Sequence, residues 1–285
     1  MTTKSRERIG LVGLGLMGSA LAERFVGGGF RVVGWDIVPA RRKALKRIGG
    51  EPARDAGEVL TACERIVFSL PGYDDSAALL GAAGWRRGRI VLDTSTGDPR
   101  KAAAIGKRVR GYLDATISGN SDQVRSREVS VLAGGTKAAF VRCADLFACF
   151  TDKTIHTGPC GSGAMMKLIT NLVLGLNRAV LAEGLAFAEH VGVAPLRALD
   201  ALKTSPAYSR AMDVKGAKMV RRDFTPQARL AQHLRDVRLI VELARRTHAK
   251  VPFSSVHRRL LAGLAAAGFG DEDNSAILRA FGDEC

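Results

Sequence analysis

The sequence predicts an α/β domain with a doubly wound, mostly parallel sheet, followed by an all-α C-terminal domain joined to it by one long helix. The first observation is a set of six short apolar runs in the first half: RIGLVGL, FRVVGW, RIVFSL, GRIVLDT, GYLDAT and VSVLAGG. Helical stretches such as 19–25 and 41–48 lie between them, and strands alternating with helices imply a parallel sheet covered on both faces. The second is the segment AMMKLITNLVLGLNRAVLAEGLAFAEHVG, which reads as one long helix with Ser162 as its N-cap. It is apolar on nearly every side, so it is expected to be buried. The third is the remainder from Pro195, which offers amphipathic stretches at 228–247 and 254–266 and almost no strand pattern. Gly158, Pro159, Gly161 and Gly163 punctuate the joint, dividing the chain into 1–160 and 161–285.

A chain of 285 residues that is 46% hydrophobic can bury a large core without disulfide or metal staples. Its formal net charge of +15 is spread over the N-terminus, 41–47, 86–89, 100–110 and 235–250, with acidic residues between most of them. No aromatic-studded ribbon or nucleic-acid motif accompanies the charge. The expectation is a solvated basic surface with a cleft suited to a small anionic substrate, and no nucleic-acid partner. Five cysteines without a C-x-x-C pair suit free thiols in a reducing compartment. Five scattered histidines without an H-x-x-x-H pair suggest no metal site. The polar start and the lack of about 18 uninterrupted apolar residues predict a cytoplasmic protein with no membrane partner.

The segment IGLVGLGLMGSALAERF sets Gly13-x-Gly15-x-x-Gly18 directly after an apolar strand and directly before a helix, the context of a Rossmann dinucleotide turn. Gly13 permits the tight turn, Gly15 lets a pyrophosphate approach the backbone, and Gly18 lets the helix sit close to the strand. Leu14, Leu16 and Met17 complete the cofactor-binding turn, and the helix N-terminus supplies N–H donors to the phosphates. The second apolar run ends at Asp36, where a carboxylate can accept hydrogen bonds from the ribose hydroxyls. Asp36 favours NAD, while the nearby Arg41 and Arg42 keep NADP open; FAD is a minor alternative.

With this turn, a cluster at DATISGN and another at GSGAMMKLITN, the chain resembles the β-hydroxyacid dehydrogenase family, of the 3-hydroxyisobutyrate dehydrogenase and tartronate semialdehyde reductase type, nearly end to end. The resemblance implies an N-terminal Rossmann domain and a helical C-terminal domain. It implies that Leu70, Pro71 and Thr96 touch the cofactor, from the family's leucine-proline strand end and its D-x-S-T segment, here Asp93, Ser95 and Thr96. The family's D-A-P-V-S-G-G stands here as Asp114 to Asn120, so Ser118, Gly119 and Asn120 are implied to hold the substrate. Its glycine-lysine-asparagine segment matches at Gly161, Gly163, Lys167 and Asn171, making Lys167 the catalytic candidate. A phenylalanine followed by Lys-Asp matches Phe224 and Arg235-Asp236, with Arg235 in the place of a lysine near the cofactor.

Lys167 and Asn171 are four positions apart and share one helix face. An amine buried in an apolar helix is expected to have its pKa lowered towards neutrality. A neutral Lys167 can then take a hydroxyl proton while hydride passes to the nicotinamide, with Asn171 orienting substrate and amine. Departures gather at the substrate motif: Asn120 replaces a glycine, and SDQVRSREVS replaces a small glycine-rich loop. With Arg125 and Arg127 in that loop, the expected substrate is more polar or more acidic than 3-hydroxyisobutyrate. Two alternatives stay open at this stage: an imine reductase-like enzyme, against which Lys167 counts, and a non-catalytic nucleotide-binding protein. The apolar long helix and the resemblance together suggest a homodimer or homotetramer.

Overall fold

The computed structural model describes residues 7–82 and 88–282. The first six residues of the polar start, the basic pair Arg86 and Arg87, and Cys285 lie outside the described residues. Backbone packing divides the chain into Met1–Lys167 and Leu168–Cys285.

The first unit is built on eight strands: β1 (Arg8–Val12), β2 (Arg31–Trp35), β3 (Glu51–Pro52), β4 (Arg65–Phe68), β5 (Ile90–Asp93), β6 (Tyr112–Ser118), β7 (Ser130–Gly134) and β8 (Lys153–Gly158). They form one sheet in the order β3-β2-β1-β4-β5-β6-β7-β8. Every pairing is parallel except β6 with β7. Six of these strands are the six apolar runs of the sequence. The other two have no such run because both lie at sheet edges. β3 is two residues ending in a proline, which an edge tolerates, and β8 carries half-exposed side chains, with Ile155 facing solvent.

Successive strand residues point to opposite faces, so a sheet with two apolar faces needs two cores. Ile9, Leu11, Val67, Leu92 and Leu113 pack on one side with Phe25, Phe147 and Phe150. Val12, Ile66, Phe68, Val91 and Tyr112 pack on the other. The strand order reverses between β1 and β4, and the crevice outside the carboxyl ends of strands at such a point is where open α/β sheets bind ligands.

β6 also anchors the long helix Ser162–His190. The first N–H groups of a helix have no partner within it, and here both oxygens of the buried Asp114 supply one. Oδ1 accepts from Gly161 N at 2.8 Å and Oδ2 from Ala164 N at 2.8 Å. Ser162, the expected N-cap, is instead the first helical residue, and its hydroxyl pairs with Thr157 Oγ1 at 2.7 Å. Two positions along β6, Thr116 Oγ1 donates to Gly163 O at 3.2 Å. The approach is so close that a Cβ on Gly163 would lie 2.2 Å from Asp114 O.

The second unit is helical, with Pro195–Thr204, Leu230–Thr247 and Pro252–Ala266 around a core of Leu181, Leu185, Leu230, Leu234, Leu261 and Ile277. Pro195 and Pro252 start their helices where a missing N–H costs nothing. A π-helical turn, Met212–Gly216, directs Lys215 inward to Asp273 Oδ1 at 2.8 Å, a buried ion pair.

Complete burial of the long helix is not what the chain does on its own. Ile169, Val173, Val180 and Phe187 are exposed, Phe187 at 68%, and at 3.6 residues per turn they fall within about 40° of one another. This stripe lies opposite the one carrying Lys167, Asn171 and Arg178, all three buried. The sequence looked apolar all round because one face is core and the opposite face is an apolar surface. By length and mean hydropathy the helix also matches a membrane-crossing segment, as core helices do; its three buried polar residues belong to the latter pattern.

Removing the Asp114 carboxylate strands two buried N–H groups, each worth roughly 1–3 kcal/mol. Asp114→Ala is expected to lower the unfolding free energy by about 2–6 kcal/mol, read by denaturant titration. Burial lifts Asp114 to about 6, above its unfolded value of about 4. The stability this group contributes is therefore full below about 4 and lost as pH rises through about 6. The stability difference between wild type and Asp114→Asn should fall across that window, and a flat difference would contradict the assignment.

Candidate active site

At the carboxyl end of β1 the chain turns through Gly13 at φ +92°, where a Cβ would stand 2.2 Å from Ser69 O. Gly18 is equally constrained, with a Cβ 1.9 Å from Gly13 O. Gly15 differs: a Cβ there would meet only Arg41 Nη1, at 4.0 Å. Two glycines thus let the turn close, and the third keeps its outer surface open. The helix Leu16–Gly27 begins there with no side-chain cap, so its N–H groups face that open surface, the donor set a pyrophosphate requires. These residues fit a dinucleotide. Leu16 is exposed and Met17 half-buried against the core.

Asp36, at the end of β2, is buried. Its Oδ2 accepts from Leu14 N at 2.7 Å and its Oδ1 from Val38 N at 2.8 Å. Arg41 Nη1 lies 3.3 Å from Oδ2, and Arg42 donates to the Asp36 carbonyl. The carboxylate therefore holds the glycine turn to β2. The strand registers Val12↔Phe68 and Phe68↔Asp93 bring the ends of β1, β4 and β5 level. Leu70 N donates to Ser95 Oγ at 3.2 Å, tying the Leu70-Pro71 segment to the one that carries half-buried Thr96. Below them the buried Asp93 takes hydrogen bonds from Tyr112 Oη at 2.7 Å and Ser95 N at 2.9 Å. Burial raises its pKa.

The substrate motif continues β6. Lys167, only 9% exposed, donates from Nζ to Ile117 O at 2.8 Å, the carbonyl whose peptide leads into Ser118. The amine is thereby brought beside Ser118-Gly119-Asn120. Gly119 has φ +147°, and a Cβ would press 2.5 Å from Val129 Cγ1. Asn120 caps the helix Ser121–Arg125: its Oδ1 accepts from Gln123 N at 2.9 Å, and Gln123 Oε1 accepts from Asn120 N at 3.0 Å. The asparagine's carbonyl is thus committed to the helix cap.

The two arginines of this loop each meet a carboxylate. Arg125 Nε pairs with Glu23 at 2.7 Å, and Arg127 pairs with Asp152. Both are partly exposed surface ion pairs.

One turn beyond Lys167, the buried Asn171 donates from Nδ2 to Asp236 Oδ2 at 2.9 Å. Of the Arg235-Asp236 pair, Asp236 is therefore the residue bonded to the catalytic-motif asparagine, while Arg235 is exposed on the helix Leu230–Thr247. The sequence pointed to Asp114 and Asp236 as motif members without revealing their work, because a cap or an asparagine anchor supplied from a distant element leaves no local spacing to read. Among the described residues no group of three or more metal-ligating side chains is gathered.

Residues 8–158 match the family model for the NAD binding domain of 6-phosphogluconate dehydrogenase, and residues 161–281 that for the NAD-binding of NADP-dependent 3-hydroxyisobutyrate dehydrogenase. The chain is similar to L-threonate dehydrogenase of Cupriavidus necator, 26% identical over 96% of this chain and 95% of that one. It is also similar to 2-hydroxy-3-oxopropionate reductase of Escherichia coli, 28% identical over 96% of each. Its fold superposes on 3-hydroxyisobutyrate dehydrogenase of Mycobacterium tuberculosis, determined with L-serine, at TM-score 0.88 and 23% identity, covering 96% of this chain and 98% of that one.

Gly18→Ala is expected to weaken nucleotide binding at least tenfold and to lower the melting temperature, because the new methyl group meets backbone. Gly27→Ala, at a position with nothing within 4 Å, should change neither. Fluorescence titration with the dinucleotide and thermal denaturation distinguish them, and equal behaviour of the two variants would refute the close approach at Gly18.

Proposed function

Because this chain belongs to the β-hydroxyacid dehydrogenase family of NAD(P)-dependent oxidoreductases, we propose that it interconverts a small β-hydroxyacid and its semialdehyde, with Lys167 as general acid and base. The observation that carries this reading is the Lys167 amine held on Ile117 O, next to Ser118. The bound nicotinamide supplies the hydride acceptor or donor. In the oxidative direction a neutral Lys167 takes the substrate's hydroxyl proton, and in the reductive direction the ammonium returns it. Ser118, the backbone of Gly119 and the Asn120 amide hold the substrate's carboxylate end. Asn171, steadied by Asp236, orients the reacting oxygen.

The substrate is a hydroxylated acid more polar than 3-hydroxyisobutyrate. Asn120 supports this, since its Nδ2 adds a donor where a glycine has none, and relatives whose names specify L-threonate and 2-hydroxy-3-oxopropionate support it too. NAD is preferred: each Asp36 oxygen retains acceptor capacity beyond its one backbone N–H bond, and its charge opposes a 2′-phosphate. Arg41 beside it narrows that margin. Leu14, Leu16 and Met17 frame the pyrophosphate, Leu70, Pro71 and Thr96 the nicotinamide half, and Arg235 contributes charge near the cofactor.

A panel of hydroxyacids followed by nicotinamide absorbance, with NAD and NADP in parallel, tests the reading. Polyhydroxylated acids with NAD should give the highest kcat/KM, and Lys167→Ala should lose at least 100-fold in kcat while retaining dinucleotide binding. Activity unchanged by that substitution, or preference for apolar hydroxyacids, would refute it. The exposed stripe of Ile169, Val173, Val180 and Phe187 is covered by a second copy of the chain in a homodimer or a homotetramer. Light scattering should give twice or four times the mass of 30.3 kDa, and a monomer would count against this arrangement.

A further inference from the structure

β5 begins as core, with Ile90, Val91 and Leu92 buried, and ends on Asp93, which is 0% exposed. An apolar residue there would continue the strand's packing at no electrostatic cost. Desolvating a carboxylate is costly unless hydrogen bonds compensate it, and the partners of this one among the described residues are neutral donors. Ser95 N donates to Oδ1 at 2.9 Å and Tyr112 Oη to Oδ2 at 2.7 Å. The side chains of Ser76 and Ser95 hydrogen-bond the same carboxylate. A buried network satisfied in this way rigidifies the backbone that supplies its donors.

That backbone is the pair of segments following β4 and β5. Ser95 Oγ accepts from Leu70 N at 3.2 Å, so Asp93 reaches the Leu70-Pro71 segment through one serine. Ser76, 0% exposed, lies one turn into the helix Tyr73–Ala82, so a second serine fastens the same segment from its far end. On the β5 side, Thr94 donates to Phe68 O from N at 2.8 Å and from Oγ1 at 2.7 Å, which starts residues 94–96 against the end of β4. The tips of both segments stand clear of this network: Pro71 is exposed, and Leu70 and Thr96 are half-buried. Gly97 keeps the second segment close to the first, since a Cβ there would stand 3.0 Å from the Tyr73 ring.

We propose that Asp93 is a positioning residue for the nicotinamide half of the cofactor, setting the separation of the Leu70-Pro71 segment from Thr96 by holding both through Ser95 and Ser76. It acts through the serines and touches neither cofactor nor substrate. Without the carboxylate the segments after β4 and β5 lose their common anchor, and the surfaces they present shift relative to each other. The glycine turn after β1 is fastened separately, by Asp36, so recognition of the adenosine and pyrophosphate is independent of Asp93. This inference rests on the reading of Leu70, Pro71 and Thr96 as the frame of the nicotinamide half.

ADP-ribose, the dinucleotide without its nicotinamide, separates the two halves. Calorimetric titration, with no turnover required, should show the wild-type protein binding NADH at least tenfold more tightly than ADP-ribose. Ser95→Ala and Asp93→Leu should each lower that ratio at least fivefold with the ADP-ribose affinity unchanged, while Asp93→Asn, which keeps an acceptor for Ser95 N, should retain most of it. In turnover, Ser95→Ala should lose at least fivefold in kcat with the inhibition constant of ADP-ribose unchanged. Ser95→Ala leaves the carboxylate its bonds from Ser95 N and Tyr112, so it tests the link even where Asp93→Leu does not fold. A carboxylate that serves stability alone predicts a lower melting temperature and an unchanged ratio in every folded variant, and that result overturns the positioning role while the reading of the nicotinamide frame stands. Equal wild-type affinities for NADH and ADP-ribose overturn that reading and the proposal with it.

Discussion

The arrangement of the catalytic candidates depends on one carboxylate accepting two backbone N–H groups across a strand-to-helix gap. Asp114 holds Gly161 and Ala164, and with them the first turn of the long helix, against β6. Once that turn is fixed, the 3.6-residue repeat determines where every later side chain of the helix points. Lys167 arrives at Ile117 O and Asn171 follows one turn later. Thr116 and Gly163 reinforce the same contact, one by a hydrogen bond and the other by having no side chain to keep the backbones apart. A one-residue slip in helical phase would swing the amine about 100° around the axis, away from Ile117 O.

The sequence reading was strongest where chemistry is local. Gly13 and Gly18 are legible because a turn between strand and helix forces glycine at fixed spacing, and both prove sterically obligatory. The parallel sheet is legible because its central strands are buried on both faces and so read as unbroken apolar runs. β3 and β8 escaped notice because edge strands lack that requirement. The long helix was recognised, but its burial was overestimated, since composition alone does not separate a core face from an apolar surface.

What could not be read was partnership. Asn120 was expected at the substrate, and the structure shows it capping a short helix with Gln123. Arg125 and Arg127 suggested a positive loop and prove to pair with Glu23 and Asp152, remote in sequence. Asp36 was expected at the ribose and also fastens Leu14 to β2. In each case a polar side chain met an acceptor or donor from another element, information that spacing does not contain.

The bond from Lys167 to a main-chain oxygen has a consequence for how such an enzyme can diversify. A carbonyl is present whatever residue occupies position 117, so the amine's anchorage survives changes in the side chains of β6 and of the loop beyond it. On the proposed reading, replacement of a small glycine-rich loop by residues 121–130 can therefore retune recognition without displacing the Lys167 amine. In that proposed mechanism selectivity and reactivity belong to separable parts of the same few residues, which lets substrate range drift while the chemistry stays constant.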